Sequence, residues 1–393
     1  MSGFAIGIRA LMLVALGAVM ASAQEYNPPE STPPTDFQVQ GEYFGTVVDG
    51  GGNLGAWVIG QGGDKYNVVF LPGGLLTLPD DKSGGWDKVT RISGTGTAAA
   101  LTTSSGYMAA ITGTGDDRTM TGTNAAGKAF TLKRVLRKSP TQGLDPKPGL
   151  NAAHLFRANT QADLLNWDNR GSTPQMRYGG FLYRGVTSKA TLGTVFLHIE
   201  VRSPYCPTCR GQDRGNSGIY LRGMHEMQVL DSFGLAGSDN ELGAIYRVKA
   251  PLTNAALPPL TWQTYDCYYT PGSAPNSATM TVYLNGVLVQ DKTLVTGITE
   301  AGYAGNILYL QDHGPNVVYN NIWMVANATE ASLPYATLLP STGTGLAAAR
   351  TSQGAAAPRV SGAFSRPGSA AFFDALGGNG LPSRAKPTSG KDR

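Results

Sequence analysis

From Val195 to Arg202 two kinds of side chain alternate without a break. Val195, Leu197, Ile199 and Val201 form one set, and Phe196, His198, Glu200 and Arg202 form the other. Successive side chains of a strand point to opposite faces. This segment therefore specifies a strand with one pure hydrocarbon face and one face carrying a ring, an imidazole, a carboxylate and a guanidinium. The pattern returns three times. Ile219 and Leu221 alternate with Tyr220 and Arg222, Met227 and Val229 with Glu226 and Gln228, and Leu308 and Leu310 with Tyr309, Gln311 and His313. Runs with helical periodicity are absent, apart from a short stretch at Thr160 to Trp167. Glycine is abundant, with 52 residues, and turn clusters recur at short intervals, so the chain reads as all-β.

At 393 residues the chain is long for one core. Residues 1–23 have the form of a secretory signal peptide: Arg9, an apolar stretch from Ala10 to Met20, then Ala21-Ser22-Ala23. The apolar stretch is shorter than the roughly 20 residues a membrane span needs. The expectation is cleavage near Ala23 and a secreted or periplasmic protein with no stable membrane anchor. Residues 24–36 read as an extended lead-in. Residues 37–137 read as an N-terminal β-barrel or sandwich, with strand-like runs such as Tyr66 to Leu71 between Gly-rich turns. Residues 138–149 read as a Pro-rich linker, and residues 150–327 as a second domain. Residues 337–393, rich in Ala, Gly, Ser and Pro, have the composition of a disordered basic tail.

The net charge of +4 belongs largely to that tail, which holds seven Lys or Arg against Asp374 and Asp392. The body is slightly acidic, which argues against a nucleic-acid-binding fold. Of the three cysteines, Cys206 and Cys209 form a Cys-Pro-Thr-Cys motif. In an oxidising compartment it is a disulfide candidate, with free thiols or half a zinc site as alternatives. No second pair supplies the remaining ligands of a zinc site. Cys267 lies in a strand-like run, as a buried thiol would.

The polar faces carry aromatic rings, arginines, amides, histidines and carboxylates rather than the Lys, Thr and Ser of an ordinary solvated strand. Flat rings stack on sugar faces, and planar amides and guanidinium groups hydrogen-bond vicinal hydroxyls. The face suits a carbohydrate, and its plain alternative is a solvated surface with ordinary ion pairs.

Several ordered motifs carry a resemblance. They are HIEVRSP at 198–204, GNSGIYLRGMHEMQVLDSFG at 215–234, NELGAIY at 240–246 and PPLTWQTYD at 258–266. TVYLNGVLVQD at 281–291, LQDHG at 310–314 and Asn321-Ile322-Trp323 follow. Together they resemble the 3-keto-disaccharide hydrolase family, whose domain has the concanavalin A-like lectin/glucanase fold. The resemblance spans roughly residues 150–327 and implies a jelly-roll sandwich. The β segment ahead of it is similar to a module often fused to this domain. Three departures stand out. His225 occupies a position that is often aromatic, Val318 and Asn320 replace arginines common in the last strand, and the CPTC segment is an unusual insertion.

The resemblance implies hydrolysis of glycosides already oxidised to a ketone at carbon 3. That ketone acidifies the hydrogen on carbon 2. A base removes it, the group on carbon 1 leaves, and water adds back. No nicotinamide is required, so a separate oxidoreductase would act upstream. The candidate catalytic residues are Glu226 first, then Glu200, His313 as a proton shuttle and Arg222 as an enolate stabiliser. Asp231, of opposite strand parity to Glu226, joins them only if the strand ends or bulges before it. Arg202, His198, Asn216, Tyr220, Gln228, Tyr309 and Gln311 are the candidates for substrate binding. Such acid–base chemistry requires no cofactor. A divalent metal held by Glu200, Glu226, Asp231 and His313 is the Lewis-acid variant, although no paired-His spacing supports it. The alternatives are a non-catalytic, lectin-like carbohydrate-binding module and an ordinary glycoside hydrolase. The Glu226, Gln228, Asp231 spacing matches that of glucanase acids, except for the amide in the middle.

Overall fold

The structure is a computed structural model that describes residues 24–79, 82–169, 173–274, 276–297 and 305–339. Residues 1–23, expected to be a signal peptide, and nearly all of residues 337–393, expected to be a basic tail, lie outside the described residues. Among these residues the helical segments are 3-10 turns, the longest at Gln161–Asn166, and no helix is long and apolar enough to cross a membrane.

Eight antiparallel strands close a barrel: β1 Gly41–Val47, β2 Asn53–Gly62, β3 Lys65–Pro72, β4 Ile92–Thr97, β5 Ala100–Thr103, β6 Met108–Thr112, β7 Thr119–Thr123 and β8 Ala129–Val135. Its interior is apolar, with Tyr43, Val58, Val68, Phe70, Phe130 and Leu132 among the buried residues. β2 and β3 are apolar on both faces. Val58 and Val68 point into the barrel, whereas Trp57, Ile59, Val69 and Leu71 join the core of the following sandwich. A strand buried on both sides loses the two-residue period, which is why Ala56-Trp57-Val58-Ile59 does not alternate. Barrel and sandwich belong to one compact unit.

The remaining strands are β9 Ala152–Phe156, β10 Trp167–Asp168, β11 Met176–Arg177, β12 Phe181–Tyr183, β13 Val186–Thr191, β14 Val195–Arg202, β15 Ser217–Leu221, β16 His225–Val229, β17 Gln263–Pro271, β18 Ser277–Leu284, β19 Val287–Thr296, β20 Ile307–Leu310 and β21 Val318–Ala326. They form two stacked antiparallel sheets. The smaller has the order β10-β13-β20-β15-β16, and the larger the order β11-β12-β21-β14-β17-β18-β19, with β9 paired to β21. One core fills the space between them. The larger sheet supplies Val195, Leu197, Ile199, Tyr265 and Cys267, and the smaller supplies Ile219, Leu221, Met227, Leu308 and Leu310. This is the all-β sandwich of concanavalin A-like type, preceded by a small barrel.

The alternate residues of the two sheets face outward on opposite sides of the sandwich. The outer face of the larger sheet is covered. Phe196, Tyr268, Trp323 and Val325 pack beneath Leu333, Tyr335 and Leu338 from the chain beyond β21. The segment after the barrel also crosses this face. Ser139 and Thr141 hydrogen-bond Thr264 at 2.5 and 2.7 Å, and the Leu144 carbonyl accepts from Asn321 and Trp323. The basic stretch ahead of it is also engaged. Arg137 pairs with the buried Glu42 at 2.5 Å, and Arg134 pairs with Asp116 at 2.7 Å.

Candidate active site

The polar strand faces split into two clusters, one on each side of the sandwich. The smaller sheet carries the first. In register, Tyr220 of β15 stands opposite Glu226 of β16 and beside Tyr309 of β20. The Tyr220 hydroxyl donates to Glu226 Oε2 at 2.8 Å and accepts from Gln311 Nε2 at 3.1 Å. The backbone of Gln311 is tethered in turn, because Ser217 Oγ donates to its carbonyl at 2.7 Å. The Tyr220 and Tyr309 rings pack at 5.4 Å, tilted by 43°. Gly218 makes room for the carboxylate. A Cβ at this position would lie 2.3 Å from Glu226 Oε1, closer than any packed side chain allows.

A loop before β15 completes this cluster. Gln228 Nε2 donates to Gln212 Oε1 at 2.9 Å and to the Asn240 carbonyl at 3.1 Å. Asn216 Nδ2 reaches the same Gln212 oxygen at 3.2 Å and His313 Nδ1 at 3.4 Å. With its amide nitrogen fixed, Gln228 presents Oε1 as a buried acceptor that has no hydrogen-bond partner among the described residues. Glu226 and Gln228 are 2 % and 1 % exposed, whereas His313 is open to solvent. An acceptor left buried without a donor costs about 1–3 kcal/mol, and an incoming hydroxyl would satisfy it.

The Cys206–Cys209 disulfide lies at the start of the same loop, with Cα atoms 5.3 Å apart. Arg210 Nη1 donates to the carbonyls of Pro207 and Cys209, each at 2.7 Å, and folds the chain toward the 3-10 turn Gly211–Asp213 that carries Gln212. Gln212 had no sequence signal beyond its place between two motifs. Cys267 is a buried free thiol whose pKa burial pushes up.

The second cluster is on the larger sheet and corrects the expectation for His198 and Glu200. His198 Nδ1 meets Asp266 Oδ1 at 2.6 Å, its Nε2 lies 3.6 Å from Glu200 Oε1, and its ring stacks on Trp323 at 5.1 Å. A bulge in the pairing of β14 with β21 turns Asn321 toward Glu200, which its Nδ2 reaches at 3.0 Å; the Gly143 N–H donates to the same carboxylate. Asp266 Oδ2 accepts from Thr141 and Tyr335, both at 2.9 Å. All three ionisable groups are at most 1 % exposed. Burial opposes a charge on His198, but Asp266 and Glu200 outweigh it and push its pKa up to about 9. This buried charge cluster ties the post-barrel segment and the chain beyond β21 to the sheet. Asp266 was legible from the sequence, since it alternates with Tyr265 and Cys267 just as Glu200 alternates with Ile199 and Val201.

Three further expectations change. Arg202 lies on the larger sheet between the Phe181 and Trp262 rings, at 5.0 and 5.3 Å, and donates to Asn27 and the Pro28 carbonyl of the lead-in. Burial pulls its pKa down to about 10. Arg222 falls in the β15–β16 turn with φ of 55°, which swings it out of the Tyr220 face to hydrogen-bond Asn306 at 2.8 Å. Asp231 lies beyond the end of β16 and pairs with Arg214 at 3.1 Å. The fold therefore keeps Glu226, Tyr220, Gln228, Gln311, Tyr309, Asn216 and His313 in one region. It does not bring Glu200, Glu226, Asp231 and His313 together as a common ligand set.

Fold and site together define a β-sandwich domain with one buried carboxylate set among amides and tyrosines on an outer sheet face. Residues 151–325 match the model of the 3-keto-alpha-glucoside-1,2-lyase-like domain. Among solved structures the chain is similar to three proteins from Parabacteroides distasonis, each described as a "putative glycosyl hydrolase". The first is 29 % identical, with a TM-score of 0.39, over 45 % of this chain and 84 % of the other. The second is 16 % identical, with a TM-score of 0.33, over 45 % of this chain and 99 % of the other. The third is also 16 % identical, with a TM-score of 0.31, over 49 % and 99 %. No curated protein matches the chain.

Proposed function

We propose that the sandwich cleaves glycosides that carry a ketone at carbon 3, with Glu226 as the general base. The observation that carries this reading is the Gln311–Tyr220–Glu226 hydrogen-bond chain, next to the unsatisfied Gln228 acceptor. The match of residues 151–325 to the family model supports it. A carboxylate held by a tyrosine hydroxyl keeps one orientation, as proton abstraction from a fixed carbon requires.

In this reading Glu226 takes the proton on carbon 2, which the neighbouring ketone has acidified. The electron pair forms an enolate, then closes the carbon 1–carbon 2 double bond as the carbon 1–oxygen bond breaks. The departing oxygen gains a proton from His313, the solvent-open imidazole at the rim. Water then adds at carbon 1, and a proton returns to carbon 2, which gives net hydrolysis. Gln228 Oε1 and Asn216 receive sugar hydroxyls, and Tyr309 supplies a flat ring. The ketone comes from a separate oxidoreductase. The Cys206–Cys209 disulfide is in keeping with work in an oxidising, extracytoplasmic compartment.

The test compares p-nitrophenyl 3-keto-glucoside with the unoxidised glucoside in deuterium oxide. Release of nitrophenol from the keto substrate alone, with deuterium entering carbon 2 of the product, is the expected result. Equal cleavage of both substrates without label indicates ordinary glycosidase chemistry. Binding without release from either indicates a lectin-like module.

A further inference from the structure

Between the barrel and the loops that flank β15 and β16 runs a cleft of about 360 Å³ that the reaction above does not use. This volume falls within the roughly 300–1,000 Å³ typical of small-ligand sites. Its barrel wall presents Asn67, Ser93 and Thr95, three exposed polar side chains on β3 and β4. Its opposite wall is built around Phe233 and Arg214. Arg91 enters at the junction and holds the wall in place, donating through Nη1 to the Leu235 carbonyl at 2.8 Å and through Nη2 to the Gly234 carbonyl at 2.5 Å. Its guanidinium lies 5.1 Å from the centroid of the Trp57 ring.

The two arginines differ in charge balance. Arg214 pairs with Asp231 at 3.1 Å. Arg91 has no carboxylate within ion-pair distance among the described residues, and Glu241 acts on it only from farther away. Burial pulls its pKa down, against a smaller opposing pull from Glu241. Two of the five guanidinium N–H groups serve the carbonyls. We infer that this cleft binds a carboxylated sugar of the uronate type. Its carboxylate would meet Arg91, its hydroxyls the Asn67, Ser93 and Thr95 side chains, and its apolar ring face the partly buried Leu235. The inference gives the barrel a role of its own, and it does not depend on the chemistry at Glu226.

Isothermal calorimetry on the full protein tests it, with D-glucuronate and D-galacturonate as probes and D-glucose and inorganic phosphate as controls. Binding of at least one uronate, at least about tenfold tighter than either control, is expected. Arg91→Gln should weaken uronate binding about tenfold or more. Thr95→Phe fills the cleft from an exposed strand position without touching Arg91, so it should abolish binding even if Arg91→Gln folds poorly. Glu226→Gln should leave uronate binding unchanged, which separates this site from the catalytic one. Absence of uronate binding at tens of millimolar, or equal binding of glucose or phosphate, overturns the inference. Unchanged binding in Thr95→Phe does so as well.

Discussion

Glu200 and Glu226 occupy equivalent positions in strands of the same alternating pattern, yet they stand on opposite outer faces of one sandwich. The core between the two sheets separates them. Glu200 is sealed beneath the post-barrel segment, where Asn321 and the Gly143 N–H hold it, and Glu226 shares its face with Tyr220 and Gln311. The separation places Glu200 among contacts that hold the chain together and leaves Glu226 as the candidate for the proposed chemistry.

Replacing Glu226 with Gln keeps the shape of the side chain and removes the base. Turnover of a 3-keto-glycoside should fall by about a hundredfold or more, with affinity for a substrate analogue kept. Tyr220→Phe should cost about tenfold or more, through loss of a hydrogen bond to a charged group. Steady-state kinetics measure both; a Glu226→Gln enzyme with native turnover removes the assignment.

Gly218→Ala probes the space under the carboxylate. The new methyl would meet Glu226 Oε1 at 2.3 Å and Tyr220 Cε2 at 2.7 Å, so both side chains must yield. Thermal unfolding should shift by only a few degrees, while kcat falls at least about tenfold. A variant with native kcat would show that the position of Glu226 is not critical.

His198 should confer a pH-dependent stability. Its folded pKa, about 9, lies above the ordinary 6.5. The stabilisation is fully present below about pH 6.5 and is lost as the pH rises through about 9. Urea unfolding of wild type and His198→Gln should therefore show a difference in stability that shrinks from pH 6 to pH 10. At neutral pH the substitution should cost about 3 kcal/mol or more, because it breaks a buried charged network. A difference that stays constant across this range refutes the charge assignment.

Opening the Cys206–Cys209 bridge should loosen the loop that delivers Gln212 to Gln228 and Asn216. The Cys206→Ser, Cys209→Ser double variant is expected to raise KM severalfold with little change in kcat, since Glu226 and Tyr220 lie on strands outside the loop. A fall in kcat at constant KM would place the effect elsewhere.

The two-sheet sandwich was an expectation from the motif resemblance, while the alternation in the sequence determined the strands and their apolar faces, because a period of two is a local property of extended backbone. It singled out Glu226, Tyr220, Gln228 and Gln311 by the same rule. It also placed His198, Glu200 and Arg202 among them, because parity states which side of its own strand a residue takes and says nothing about which sheet that strand joins. Pairing decided that question: β14 lies between β17 and β21 in the larger sheet, and β15 lies between β16 and β20 in the smaller. Only the tertiary structure could reveal that the segment after the barrel covers one polar face, and that a positive φ removes Arg222 from the other. Both depend on contacts between residues far apart in the chain or on a single backbone angle, and neither leaves a periodic trace in the sequence.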